Sequence, residues 1–146
     1  MSTPLTDLFE NGSDSQLAGD LVKRISAAHG NGVDVSELSE EEQVVMCVYM
    51  SHGVIGNGGF RYLFEHKPEG DPDFALTLHA FEVIGCWEAA DALRDSLAAF
   101  PSSRPPSNLE KRLKQYSRYL KKVGWPTPED HRFFAVMDEV DQRLAN

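Results

Sequence analysis

The chain has 146 residues, 41% hydrophobic and 25% charged, a balance that suits one folded domain and excludes a largely disordered chain. Its formal net charge of −9 disfavours direct nucleic-acid binding by the whole surface, because phosphates repel it, and favours a basic protein partner or plain solubility. No apolar run approaches the ~18 residues a membrane helix needs, and the stretch from Met1 to Asp7 lacks the basic start and apolar core of a signal peptide, so a cytoplasmic location with no membrane contact is expected.

The expected fold is all-α: a single-domain multi-helix bundle of about six main helices over 14–146, preceded by a flexible N-terminal arm over 1–13. The first helix is predicted over 14–29, with Leu17, Leu21, Ile25 and Ala28 on one face and Gly30 ending it. Asn31-Gly32 marks a turn. The second spans 37–53. Ser39 and Glu42 have capping-box spacing there, with Ser36 the alternative cap. Val44, Val45, Cys47, Val48 and Met50 surround most of that helix, the pattern of a central one. Residues 54–59 carry three glycines and should interrupt it before a short helix from Phe60 to Glu65.

Asp71 as N-cap and Pro72 at the first helical position should open the third long helix, with Phe74, Leu78 and Phe81 inward and Gly85 as a stop or kink. The fourth, over 86–99, should pack Trp87, Ala90, Leu93 and Leu97. The run from Pro101 to Pro106 is a connector. The fifth, over 107–122, places Leu109, Leu113, Tyr116 and Leu120 on one stripe. Thr127-Pro128 starts the last helix, with Asp130 three residues after the cap and Phe133, Met137, Val140 and Leu144 on its core face.

Charge is unevenly distributed. Residues 104–124 hold seven bases and one acid, and every other part of the chain is acidic. On the fourth helix Glu88, Asp91 and Asp95 cluster opposite the expected core face, about 4.5 and 6 Å apart along the axis. Duplex phosphates recur at about 3.4 Å of axis per strand, so such a row can imitate part of a phosphate track, or be an ordinary solvated face. Glu37, Glu40 and Glu41 can extend the surface, and also lie where a helix N-terminus favours acids. Lys111, Lys114, Arg118, Lys121 and Lys122 form an opposite, basic face. That face suits solvent, an acidic partner, or the acidic stripe of a second copy.

Chemistry finds few footholds. His29, His52, His66, His79 and His131 make no HExxH and no zinc spacing with Cys47 or Cys86, so no metal and no cofactor is expected. The two cysteines read as reduced core residues. Cys47 and His52 stand five apart, poor geometry on a helix for a nucleophile and its base. No catalytic motif is present, and the expectation is a non-enzyme. A pocket gathering His52, Asn57 and a carboxylate would favour an enzyme instead. Gly56-Asn57-Gly58-Gly59 lacks the phosphate-loop pattern and a preceding strand. Asn57 is expected to cap the helix that starts near Phe60, with Phe60 as its anchor in the core. An anion site on the exposed amides is the alternative.

The segment Ile55-Gly56-Asn57-Gly58-Gly59-Phe60, followed by Phe64, resembles the V-x-N-G-G-F motif of the domain of unknown function 4375, which includes DNA-mimic proteins of bacteria. The likeness runs on through Leu78 to Cys86, including Ile84-Gly85, then Ala89-Ala90, Leu93, Ala99-Phe100-Pro101 and Phe133-Phe134. Tyr62 and His66 depart from that family's usual Gln and Asn. The resemblance implies an all-helical, often dimeric protein. It also implies an acidic surface, here Glu37, Glu40, Glu41, Glu88, Asp91 and Asp95, that occupies the DNA-binding face of a transcriptional regulator. The alternative is an immunity or antitoxin protein that blocks a basic toxin such as a nuclease.

Overall fold

The computed structural model describes residues 14–29, 34–66 and 70–145. The arm over 1–13, Gly30, the Asn31-Gly32 turn and the side chain of Leu17 lie outside the described residues. Among the described residues there are eight α-helices, two short 3-10 turns and no strand. The helices are α1 (Asp14–His29), α2 (Glu40–Gly58), α3 (Phe60–Glu65), α4 (Ala75–Val83), α5 (Trp87–Leu97), α6 (Leu109–Val123), α7 (Pro128–Ala135) and α8 (Met137–Ala145). The count exceeds six because the short Phe60 helix is a full element and the last helix is divided at Val136.

Helix α2 is the hub: it packs against α1, α3, α4, α7 and α8. Val44 through Val48 are all buried, which is why apolar residues run around most of the cylinder, but Met50, expected among them, is exposed. It begins at the expected capping box, where Ser39 Oγ accepts from the Glu42 amide and Glu42 reaches back to the Ser39 amide. The glycines do not interrupt it, and the helix continues through Gly58. In α1, Leu21 and Ile25 are buried but Ala28 is exposed.

The expected start of the third long helix is wrong by three residues. Phe74, in the left-handed region at φ 64°, precedes Ala75, the first residue of α4. Phe74 is fully buried with its ring edge-on to Phe64 at 5.3 Å, and the turn that puts it there delays the helix. Asp71 still caps, from farther back: its carboxylate accepts from the amides of Leu76 (2.8 Å) and Thr77 (3.0 Å) and from the Thr77 hydroxyl (2.6 Å). Pro72 therefore lies in the turn before α4.

Two other side chains go against the sequence pattern. Trp87 is 60% exposed rather than packed, while Ala89, Ala90, Ala92, Leu93 and Leu97 bury the inner face of α5. In α6, Leu109 is 41% exposed, and the deepest side chains are Tyr116 and Arg112. Arg112 replaces an apolar residue inside. Its guanidinium donates to the carbonyls of Phe64 (2.7 Å), His66 (2.6 Å) and Pro106 (3.1 Å). Phe64 and His66 are at the C-terminus of α3, where helix carbonyls lack partners of their own. Phe64 is also the centre of an aromatic cluster with Phe74, Phe100 and Tyr116. No helix among the described residues is long and apolar enough to cross a membrane.

Gly53, like Gly124, is not tightly packed among the described residues. A Cβ there would meet nothing within 4 Å, although the residue lies inside α2. Glycine within a helix is less stable than alanine by roughly 0.5–1 kcal/mol. Gly53→Ala should therefore raise the unfolding free energy by about that amount. Urea denaturation checks it, and a loss of stability would mean that the position is not open.

Candidate functional site

The Asn57-Gly58-Gly59-Phe60 turn is built from three elements. Gly59 has φ +77°, and a Cβ on it would stand 2.6 Å from the Asp130 carboxylate carbon, so both backbone and space require glycine. A Cβ on Gly58 would meet the Tyr62 ring at 2.5 Å. Asn57 is exposed and does not cap α3. That role falls to Asp130, 70 residues away, whose Oδ1 accepts from the Phe60 amide at 2.8 Å. Its Oδ2 accepts from the Thr127 amide at 2.8 Å, and Thr127 Oγ1 accepts from the Asp130 amide, so one buried carboxylate starts both α3 and α7. Trp125 closes the turn by donating Nε1 to the Gly58 carbonyl at 3.2 Å, with the Arg61 guanidinium 4.9 Å from its ring centre. Phe60 is fully buried and meets Phe133 edge-on at 5.7 Å. The Phe60 amide donates to Asp130 and the Gly59 amide to the Ile55 carbonyl at 2.7 Å, so neither is left as a donor for the anion-site alternative.

The acidic residues divide by location and by partner. Glu88, Asp91 and Asp95 are all exposed on α5. Asp91 is paired with Arg94, which also reaches Glu82 at 3.5 Å, and Asp95 accepts from Arg132 of α7 at 2.6 Å. No ion pair among the described residues engages Glu88, Glu37, Glu40 or Glu41. Glu37 belongs to the 3-10 turn Val35–Glu37, which packs on α2, and Glu40 and Glu41 to the first turn of α2. Helix α5 packs on α4 and α7 instead. Trp87 stands one residue before Glu88 and four before Asp91, an exposed indole at the head of the acidic row. Its helical position suited a core residue, and nothing in the periodicity separates it from one. On α6, Lys111, Lys114, Arg118, Lys121 and Lys122 are exposed, opposite buried Arg112 and Tyr116.

A groove of about 570 Å³ lies between α2 and α8. Tyr49, Met50, Gly53, Val54 and Asn57 line it from α2, and Asp141 and Leu144 from α8. It gathers His52, Asn57 and a carboxylate, the combination that would favour catalysis. The geometry uses His52 otherwise. Its Nε2 lies 3.2 Å from the Met137 carbonyl and 3.4 Å from Asp141, so that nitrogen holds its proton toward α8. The neighbouring hydroxyl, Ser51, is buried and donates to the Cys47 carbonyl. His52 links α2 to α8 in this arrangement.

A protein-family model, described as DMP19-like protein, matches residues 36–146, more than half of the chain. The chain belongs to the DMP19-like protein family. This replaces the resemblance to the domain of unknown function 4375 and its DNA-mimic members: the family that matches is the DMP19-like one, and no DNA-mimic family is shown. No curated protein and no solved structure gives a significant match. In this DMP19-like protein the matched region holds the Asn57–Phe60 turn, the acidic row, the basic helix and the groove, whereas α1 lies before it.

The DMP19-like core also encloses both thiols. Burial, with the Asp71 carboxylate nearby, pushes Cys47 up to about 12, and burial and Glu139 push Cys86 up to about 11. The reactive thiolate is therefore scarce below pH 10. At pH 8 iodoacetamide should leave Cys47 unmodified in the folded protein and modify it completely in urea, as read by intact mass. Rapid labelling of Cys47 in the native state would contradict this.

Proposed function

We propose that this chain is a binding protein whose α5 face receives a basic surface of another protein, one that in the partner otherwise contacts nucleic-acid phosphates. The observation that carries the reading is Trp87, 60% exposed at the head of the Glu88, Asp91 and Asp95 row. Tryptophan offers a large apolar area and dominates the energetics of many protein interfaces. The face holds four carboxylates, including Glu82, against the guanidinium groups of Arg94 and Arg132, so it stays negative. The three ion pairs that these two arginines make lie at the surface, and such pairs contribute only about 0–1 kcal/mol each. A partner's lysine or arginine can thus displace them at little cost. The net charge of −9 draws basic proteins toward the face over a distance.

The test is capture of partners from cell lysate on immobilised protein, identified by mass spectrometry. Wild-type protein should retain basic nucleic-acid-binding proteins, and both Trp87→Ala and Glu88→Lys should weaken retention about tenfold or more. Both substitutions are on an exposed surface and should leave the melting temperature unchanged. Equal retention by wild-type protein and both variants would reject the reading.

A further inference from the structure

We propose that the groove between α2 and α8 is a second docking site, and that its occupant is a basic amphipathic helical segment of a protein partner. The proposal rests on the reading that the partner is a basic protein, and adds a surface remote in sequence from α5.

Three observations point to an occupant. The first is Gly53. Its backbone is helical, it is not crowded by any neighbour, and a Cβ would enter open space. Among the described residues neither strain nor packing calls for glycine, and alanine would favour the helix. A bare stretch of helix is useful where another backbone or side chain comes against it, as small residues are at close helix crossings. The second is the apolar rim. Tyr49 and Met50 are 38% and 52% exposed just before Gly53, with Val54 just after it, so that apolar groups flank the bare backbone. From Tyr49 to Asn57 the groove follows about 12 Å of α2, roughly two helical turns. The groove is open along one side, which suits a segment of chain more than an enclosed metabolite.

The third observation gives the charge of the occupant. Among the described side chains lining the groove, Asp141 is the one carboxylate, and none is a lysine or arginine. It keeps 33% of its side-chain surface exposed beside His52. A lysine or arginine one or two turns from an apolar anchor would reach it. Met50 is unbranched and adapts to the shape of an incoming apolar side chain. The overall negative charge favours the same sign of partner.

The experiment is an NMR titration of the isotope-labelled full chain with a short synthetic amphipathic Leu/Lys peptide and with its Leu/Glu counterpart. The Leu/Lys peptide should shift the amide signals of Gly53, Val54, Asn57 and Leu144, and the Leu/Glu peptide should not. Gly53→Leu should weaken that binding about tenfold or more by filling the bare stretch, and Asp141→Asn should weaken it as well. Gly53→Leu extends into open space, so its melting temperature should not fall, which separates lost binding from lost fold. Shifts confined to the residues around Trp87 and Glu88 would overturn the groove as a site and leave the α5 reading standing. Equal shifts with both peptides would overturn the basic occupant, and no shift in the groove with either would overturn the docking site. The α5 reading fails separately, if Trp87→Ala and Glu88→Lys retain their partners.

Discussion

Replacing Asp130 with alanine should destabilise the protein by about 4 kcal/mol, a fall in melting temperature of about 12 °C for a chain of this size. Asp130 is fully buried and no cation faces it in any ion pair among the described residues. Its charge is balanced by amides: Phe60 N–H, Thr127 N–H and the N-terminal turn of α7. Hydrogen bonds to a charged group contribute about 1.5–3 kcal/mol each, and removal of the carboxylate orphans two buried donors at once. Asp130→Asn keeps one acceptor oxygen and should lose about half as much. Urea denaturation with matched far-UV circular dichroism measures both. A loss below about 1 kcal/mol for the alanine variant would mean that the two helix starts do not depend on this side chain.

Arg112→Met should cost about 3 kcal/mol, by a different route. Burial lowers the arginine's proton affinity, yet the side chain stays inside because four carbonyls, of Phe64, His66, Pro106 and Ser107, surround it. Methionine fills much of the same space and removes every donor, so the carbonyl of Phe64 in the buried cluster loses its partner. Lysine offers a point charge without the planar fork and can serve only part of this geometry, so Arg112→Lys should still lose about 2 kcal/mol. The readout is again the urea midpoint. If methionine were as stable as arginine, the guanidinium would be incidental to the joining of α3 and α6.

These two side chains mark where sequence reading succeeds and stops. The capping boxes at Ser39–Glu42 and Thr127–Asp130 are local, three residues apart, and follow from spacing alone. That Asp130 also caps α3 is invisible in sequence, because the bond crosses 70 residues. Asn57, the local candidate for that bond, is outcompeted by a carboxylate already held in place by its own capping box. The helical stripe of α6 suggested an apolar core, and Arg112 entered it because its target is backbone, which carries no residue identity to read. Asp71 shows a third kind of miss: its capping role was legible, but the burial of Phe74 moved the helix start past Pro72.

The candidate surfaces follow the same division. Glu88, Asp91 and Asp95 share one exposed face as their spacing implied, but Arg132 reaches Asp95 from α7, and only the fold could reveal that neutralisation. Trp87 was hidden because an exposed tryptophan at a core-compatible position has the same periodicity as a buried one. The groove depends on α8 lying along α2, a tertiary fact, and Gly53, at the end of the expected second helix, gave no sign of it.

We propose that α5 recognises a basic protein electrostatically. The most direct measurement is the affinity of wild-type protein for a captured, purified basic partner, by calorimetry from low to high salt. With several charge pairs formed on the exposed face, affinity should weaken by about tenfold or more between about 50 and 300 mM salt, and Glu88→Lys should flatten the slope. An affinity that does not change across that range, or a slope that Glu88→Lys leaves intact, would contradict the claim.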